Sequence, residues 1–140
     1  MMGVFMKLFS LLILMASTVF AAPVPGLLGK WEAENVLMGR GVEFKLDFDF
    51  AEDEMEMTVH CYFYDGAYLQ TSVRSHVNYR RQDILIRQTQ ETISNDGYRF
   101  CRATVTPSRW VTHFDYHGRM ILHMPTPYQA QFRLVRVSDF

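Results

Sequence analysis

Few residues in this chain have types and spacing that could do chemistry, and the densest polar row is His113, Asp115 and His117. Side chains two residues apart point to the same side of an extended strand, so this row could chelate a metal with His123 as a fourth ligand. The dipeptide His117-Gly118, however, is typical of a turn between two strands. Because a turn would carry His117 away from the row, we interpret these residues as solvent-facing and expect no metal and no other cofactor.

A second set of polar side chains occupies alternating positions in two extended segments. On the inner face of a barrel, such side chains could line the polar end of a cavity and orient a ligand head group, whereas on the outer face they would only be solvated. The candidate ligand-binding residues are Gln88, Gln90, Arg102 and Thr104. The chain has no nucleophile-elbow, zinc-protease, phosphate-loop or Cys-x-x-Cys motif, so we expect a non-enzymatic protein.

The 2 cysteines are Cys61 and Cys101, and both follow the apolar leader of the chain. In an oxidising compartment they are expected to form a disulfide that closes a loop of about 40 residues and contributes roughly 2–4 kcal/mol. The alternative is a pair of free thiols, since small buried cysteines occur in protein cores.

The leader has the features of a secretory signal. Lys7 precedes an apolar run that ends at Phe20, which is shorter than the roughly 20 residues of a membrane-spanning helix. Small residues at Val19 and Ala21 predict cleavage after Ala21, with Ala22 as the alternative. We therefore expect residues 1–21 to be a signal peptide and residues 22–140 to be one secreted or periplasmic domain, monomeric and not inserted in a membrane.

The strongest pattern in the remaining chain is strict alternation of apolar and polar residues. VEFKLDFDF (42–50) and MEMTVHCYF (55–63) alternate throughout, separated by a short acidic loop, which predicts a β-hairpin with one buried face. Similar segments follow to residue 137, so the sequence predicts an all-β fold of about eight or nine strands. Tyr62 and Tyr64 fall opposite the apolar face and are candidates for an exposed patch that meets a partner.

Short connections between consecutive strands favour a small antiparallel up-and-down β-barrel, which also protects the sheet edges. The alternative is a sandwich. An immunoglobulin-like sandwich would place a core tryptophan between its cysteines, but Trp31 and Trp110 both lie outside that interval. The net charge of −1 gives no indication of nucleic-acid binding.

Gly29 and Trp31 begin the first predicted strand, and the last segment, QFRLVRV, contains Arg133 and Arg136. This arrangement resembles the lipocalins and the wider calycin superfamily, in particular their short bacterial lipocalin-like domains. The resemblance implies that Trp31 closes the barrel floor and that a terminal arginine packs across the indole ring. Alternation along the strand leaves both arginines open, and analogy with the short domains favours Arg136.

The resemblance also implies a function. We expect a protein that binds a small, mostly apolar ligand in its barrel. The alternative is a protein-binding module, such as a periplasmic protease inhibitor of calycin fold, acting through Ala22 to Leu28 or through the loops at the barrel rim. The inhibitor would have a filled interior. The ligand-carrier hypothesis would fail if the barrel interior were packed solid with Phe44, Phe48, Met55, Met57 and Trp31.

Overall fold

The computed structural model describes residues 22–125 and 129–137, so the signal peptide expected at residues 1–21 lies outside the described residues. The described residues contain eleven β-strands and no helix. The strands are β1 (Gly29–Ala33), β2 (Leu37–Gly39), β3 (Val42–Phe50), β4 (Glu54–Phe63), β5 (Tyr68–Arg80), β6 (Asp83–Ile86), β7 (Gln90–Asn95), β8 (Phe100–Val105), β9 (Ser108–Phe114), β10 (Met120–Met124) and β11 (Ala130–Arg136). Within these ranges no helix has the length and hydropathy required to cross a membrane.

Eight strands close into an antiparallel barrel, in the order β1-β11-β10-β9-β6-β5-β4-β3 with β3 pairing back to β1. The short strand β2 pairs with the first residues of β3 at one end of the barrel. Alternation decides which side chains enter the interior, because successive residues of β4 and β5 are buried and solvent-facing in turn. The predicted small antiparallel all-β barrel is confirmed.

The path of the chain between β6 and β9 differs from the predicted meander. The segment expected as one strand, residues 83–93, breaks after Ile86, and its second half pairs with β8 in a separate two-stranded sheet. Ile84 and Ile86 face the core of the barrel. The residues that would continue this face of the strand, Gln88 and Gln90, are exposed. Without apolar side chains for the core, the strand leaves the barrel wall. The resulting β7–β8 hairpin lies against β5 and β4.

The hairpin is tied to the barrel covalently. Cys101 on β8 and Cys61 on β4 form a disulfide with an S–S distance of 2.09 Å, and both residues are fully buried. The predicted pairing is confirmed. A disulfide is consistent with an oxidising location, extracellular or periplasmic.

The barrel interior is occupied by large side chains that pack around Phe48. Its ring centroid lies 5.8 Å from that of Phe50, 5.9 Å from Trp110 and 6.4 Å from Phe132. The methionines on the inner faces of neighbouring strands are fully buried beside these rings: Met55, Met57, Met120 and Met124. The centre of the barrel is therefore a packed core.

Candidate functional site

Trp31 lies at one end of the barrel, which we call the floor. Its side chain is only 2% exposed, and its indole Nε1 donates a 2.8 Å hydrogen bond to the carbonyl oxygen of Leu27. The Arg136 guanidinium lies over the indole, with its central carbon 4.4 Å from the ring centroid. Arg136 Nη1 also donates a hydrogen bond to the Leu28 carbonyl oxygen at 3.0 Å. One side chain therefore covers the indole ring and provides a hydrogen-bond partner for a backbone carbonyl in the loop before β1.

The structure places Arg136, and not Arg133, on Trp31. Trp31 and Arg136 are direct partners in the β1–β11 ladder, whereas Arg133 points outward and lies 3.9 Å from a carboxylate oxygen of Glu34. Gly29 has φ +126°, and a Cβ at that position would collide with the Arg136 guanidinium. The glycine is thus needed both for its backbone conformation and for the close approach of the arginine.

The segment from Ala22 to Leu28, a candidate for contacting a partner, crosses the floor. Leu27 is buried under Trp31, and Pro23 forms an isolated parallel bridge with Arg81. Leu27 therefore belongs to the core, while Ala22, Pro25, Gly26 and Leu28 are exposed at the floor.

The opposite end of the barrel, which we call the mouth, is partly covered by the β7–β8 hairpin. One face of β8 is buried against the barrel through Cys101, Ala103 and Val105. Phe100, with a side chain 69% exposed, lies on the other face together with the polar residues of β8. The hairpin therefore seals the core with one face and presents a mixed apolar and polar face on the other.

Between the hairpin and the inner wall formed by β2, β3 and β4 lies an open groove of 830 Å³, which we call the mouth groove. Its apolar lining residues are Leu37, Met38, Phe44, Val59 and Phe100. Its polar lining residues are Glu91, Arg102 and Thr104.

The polar side chains of the mouth groove interact with one another. Thr104 Oγ1 donates a 3.1 Å hydrogen bond to Glu91 Oε2, and Arg102 Nε lies 3.7 Å from the same oxygen. The Arg102 and Glu91 side chains are both substantially exposed, so their attraction is screened and either group can turn to a ligand at little cost.

Two of the four candidate ligand-binding residues, Arg102 and Thr104, line the mouth groove. Gln88 lies in the exposed loop between β6 and β7, and Gln90 begins β7; neither is among the lining residues. The sequence did not predict the apolar wall of the groove. Phe44 and Val59 lie on the apolar faces of regularly alternating strands, where every apolar residue is expected to be in the core. Phe100 did carry a signal: it shares a strand face with Arg102 and Thr104, as an aromatic residue in a polar row.

The tip of the β7–β8 hairpin is held by Arg99. Its Nη1 donates to Asp96 at 2.8 Å and its Nε donates to Asp65, in the β4–β5 turn, at 3.0 Å. The guanidinium also lies 5.7 Å from the centroid of the Phe63 ring. Hydrogen bonding from Arg99 lowers the pKa of Asp65, and the backbone N–H groups of Arg99 and Tyr98 lower the pKa of Asp96. The hairpin is therefore fastened to the rim at its tip by Arg99 and, two residues further along the chain, by the disulfide of Cys101.

Exposed aromatic side chains surround the mouth. Tyr62 and Tyr64, the predicted exposed patch, are 44% and 62% exposed, and Tyr98 at the hairpin tip is 91% exposed. Because Arg99 brings the hairpin tip to the β4–β5 turn, Tyr64 and Tyr98 lie on the same end of the molecule.

The row of His113, Asp115 and His117 lies at the floor end. Asp115 accepts backbone N–H bonds from His117 and Arg119 and so shapes the β9–β10 turn. In residues 22–125 and 129–137, no group of three or more His, Cys, Asp or Glu side chains is arranged to hold a metal ion.

Comparison with known proteins adds no function to this geometry. No family model, curated protein or solved structure matches the chain significantly. The mouth groove and its rim are therefore the features on which a functional interpretation depends.

Proposed function

We propose that this protein is an exported, non-enzymatic binding protein of lipocalin-like character that holds a small, mostly apolar ligand in the mouth groove. The observation that carries the proposal is the groove itself: 830 Å³ of open space with an apolar wall and three polar side chains on one side. Ligand pockets for small molecules have volumes of about 300–1,000 Å³ and combine apolar walls with a few polar groups in this way.

The packed core determines where in the barrel a ligand would bind. Trp31, Phe48, Met55 and Met57 fill the interior, while Phe44 is only half-buried and faces the groove. A ligand deep inside the barrel would have to displace these side chains, which is costly in a well-packed core. The mouth groove needs no such displacement.

The floor supports the lipocalin-like part of the proposal. The Gly29, Trp31 and Arg136 contacts are those that the resemblance implies, on a closed barrel of the expected size. The disulfide supports export to the periplasm or the extracellular space.

Uptake of an apolar fluorescent dye, N-phenyl-1-naphthylamine, tests the proposal. We expect the wild-type protein to bind the dye, and we expect Met38→Glu and Phe100→Glu to weaken binding at least about tenfold, which is roughly 1.4 kcal/mol. Both side chains are mostly exposed, so a carboxylate there changes the groove wall without entering the core.

The matched control is Tyr116→Glu, in the β9–β10 turn beside the floor residue Phe114. Tyr116 is fully exposed, so this variant adds the same charge on the far end and should bind the dye as the wild type does. Failure of the wild-type protein to bind the dye, or an equal loss in the control, would contradict binding in the mouth groove.

The aromatic rim supports a second candidate function, a protein-binding module such as a periplasmic protease inhibitor. Tyr64 and Tyr98 expose large aromatic surfaces, and tyrosine is enriched where proteins meet. Inhibition assays with a panel of secreted serine and metalloproteases test this candidate. We expect the double variant Tyr64→Ala/Tyr98→Ala to lose inhibition, whereas the absence of inhibition by the wild-type protein would eliminate the candidate.

A further inference from the structure

A tyrosine, a histidine and an aspartate form a hydrogen-bonded series on the outer face of β3, β4 and β5, away from the mouth groove. Tyr68 Oη lies 2.6 Å from His60 Nδ1, and His60 Nε2 lies 2.7 Å from Asp47 Oδ2. A hydroxyl next to an imidazole that is in turn oriented by a carboxylate is the arrangement that activates a nucleophile.

Packing holds the imidazole in place. The His60 ring is nearly parallel to the rings of Tyr62 and Tyr68, at interplanar angles of 21° and 18° and centroid distances of 6.4 and 6.0 Å. The His60 side chain is 17% exposed, whereas Tyr68 is 46% exposed, so the base is sheltered and the hydroxyl-bearing ring is accessible.

The hydrogen bonds also define where the protons lie. The Asp47 carboxylate can only accept, so His60 Nε2 donates to it, and in a neutral imidazole Nδ1 is then free to accept the Tyr68 proton. Asp47 Oδ1 is buried and has no hydrogen-bond partner in the described part of the chain, so His60 is the group that satisfies this carboxylate.

Tyr68 Oη also donates a 2.8 Å hydrogen bond to Gln70 Oε1, so Gln70 and His60 Nδ1 are alternative acceptors of the same proton. The amide can accept from the hydroxyl or, when turned over, donate to it, so it accommodates either position of the tyrosine proton. Burial raises the pKa of Tyr68, and Tyr62 and Asp47 raise it further. The hydroxyl therefore retains its proton near neutral pH and needs a base in order to react.

We propose that Tyr68 is a nucleophilic tyrosine that accepts acyl groups from activated esters, with His60 as its general base and Asp47 as the residue that positions His60. Tyr68 Oη attacks the ester carbonyl carbon and forms a new C–O bond, while its proton passes to His60 Nδ1. The bond from the carbonyl carbon to the leaving oxygen breaks, and that oxygen takes the proton from His60. The products are an O-acyl tyrosine and a free alcohol or phenol.

The test is acetylation by 4-nitrophenyl acetate, with the modified residue located by peptide mass mapping. Tyr98 and Tyr116 serve as internal controls, because Tyr98 is 91% exposed, Tyr116 is fully exposed, and neither hydroxyl has a histidine partner among the described residues. We expect Tyr68 to be acetylated at least about tenfold faster than either, since a positioned general base contributes about 10²–10⁴ in rate. Labelling that follows exposure, with Tyr116 and Tyr98 ahead of Tyr68, would overturn the proposal without any variant being needed.

Variants then assign the roles. We expect His60→Gln and Asp47→Asn to lower the Tyr68 rate to that of the exposed controls, and added imidazole to restore the rate in His60→Ala. Imidazole also reacts with the ester to give N-acetylimidazole, which acetylates any accessible tyrosine, so rescue is measured as the Tyr68 rate relative to the rates of Tyr98 and Tyr116. A residue with only a structural role would not give this selective rescue. The matched control is Lys45→Gln, which alters the direct β3 neighbour of His60 outside the series and should leave the rate unchanged. An unchanged Tyr68 rate in a folded His60→Gln variant would refute the role of His60.

Discussion

At the scale of single residues, Arg136 is the side chain on which the floor of the barrel depends most. Its guanidinium covers Trp31 and donates to the carbonyls of Gly26 and Leu28. We expect Arg136→Ala to lower the free energy of unfolding by about 1–3 kcal/mol, because it removes a cation–π contact and two hydrogen bonds. Arg136→Lys should recover only part of this, since an ammonium cannot reproduce the planar fork. Urea denaturation measures both.

Arg133→Ala is the control for this prediction. Arg133 lies 3.9 Å from Glu34 in an exposed ion pair, and such pairs contribute about 0–1 kcal/mol. An Arg133→Ala loss as large as that of Arg136→Ala would mean that the floor is not held by the contact with Trp31.

The sequence limited the covering arginine to these two positions but could not choose between them. Alternation places Arg133 and Arg136 on opposite faces of β11 without saying which face meets Trp31 near the strand end. The choice follows from the ladder register that pairs Trp31 with Arg136, and register depends on the closure of the whole barrel.

At the scale of elements, the β7–β8 hairpin depends on the disulfide for its position on the barrel. Removing it with Cys61→Ala/Cys101→Ala should lower the free energy of unfolding by about 2–4 kcal/mol. We also expect limited proteolysis to cut first between residues 87 and 107, because the hairpin has no strand ladder to the barrel wall. Uniform cleavage along the chain would indicate that the hairpin and the barrel unfold together.

Acid should loosen the tip of the same hairpin. The pKa values of Asp65 and Asp96 are lowered in the folded state, so the stability they contribute is present above the unfolded value of about 4 and is lost as the pH falls through the folded values. We expect amide hydrogen exchange at residues 96–99, relative to the barrel strands, to increase as the pH is lowered below about 4. In Asp65→Asn/Asp96→Asn this increase should disappear, and its persistence would mean that other groups control the tip.

The hairpin also marks the limit of what sequence patterns predict at this scale. The strands β3, β4 and β5 were predictable because both their alternation and their turns are regular. Residues 83–86 and 90–93 are extended, but the strand is interrupted between them, where the inner-face residues change from isoleucine to glutamine. The sequence pattern shows where the apolar inner-face residues end. It does not show where the following hairpin packs, because that position depends on tertiary contacts with Cys61 and Asp65.

At the scale of the whole molecule, the two ends of the barrel differ in structure. The floor is a closed structural cap, the middle is a packed core, and the mouth has the open groove and the exposed aromatic rim. The sequence was sufficient to predict the fold class and the contact of Trp31 with an arginine of the last strand. It was not sufficient to predict the mouth groove, because its walls come from three strands and a hairpin that meet only when the barrel closes.

Methyl NMR of protein labelled at its methionine methyl groups tests binding in the mouth groove most directly. Met38 lines the groove, whereas Met55, Met57, Met120 and Met124 are fully buried in the core. On titration with N-phenyl-1-naphthylamine, we expect the Met38 methyl resonance to shift progressively while the four core resonances stay in place. Shifts at Met55 and Met57 with an unchanged Met38 signal would contradict the account and place the ligand inside the barrel.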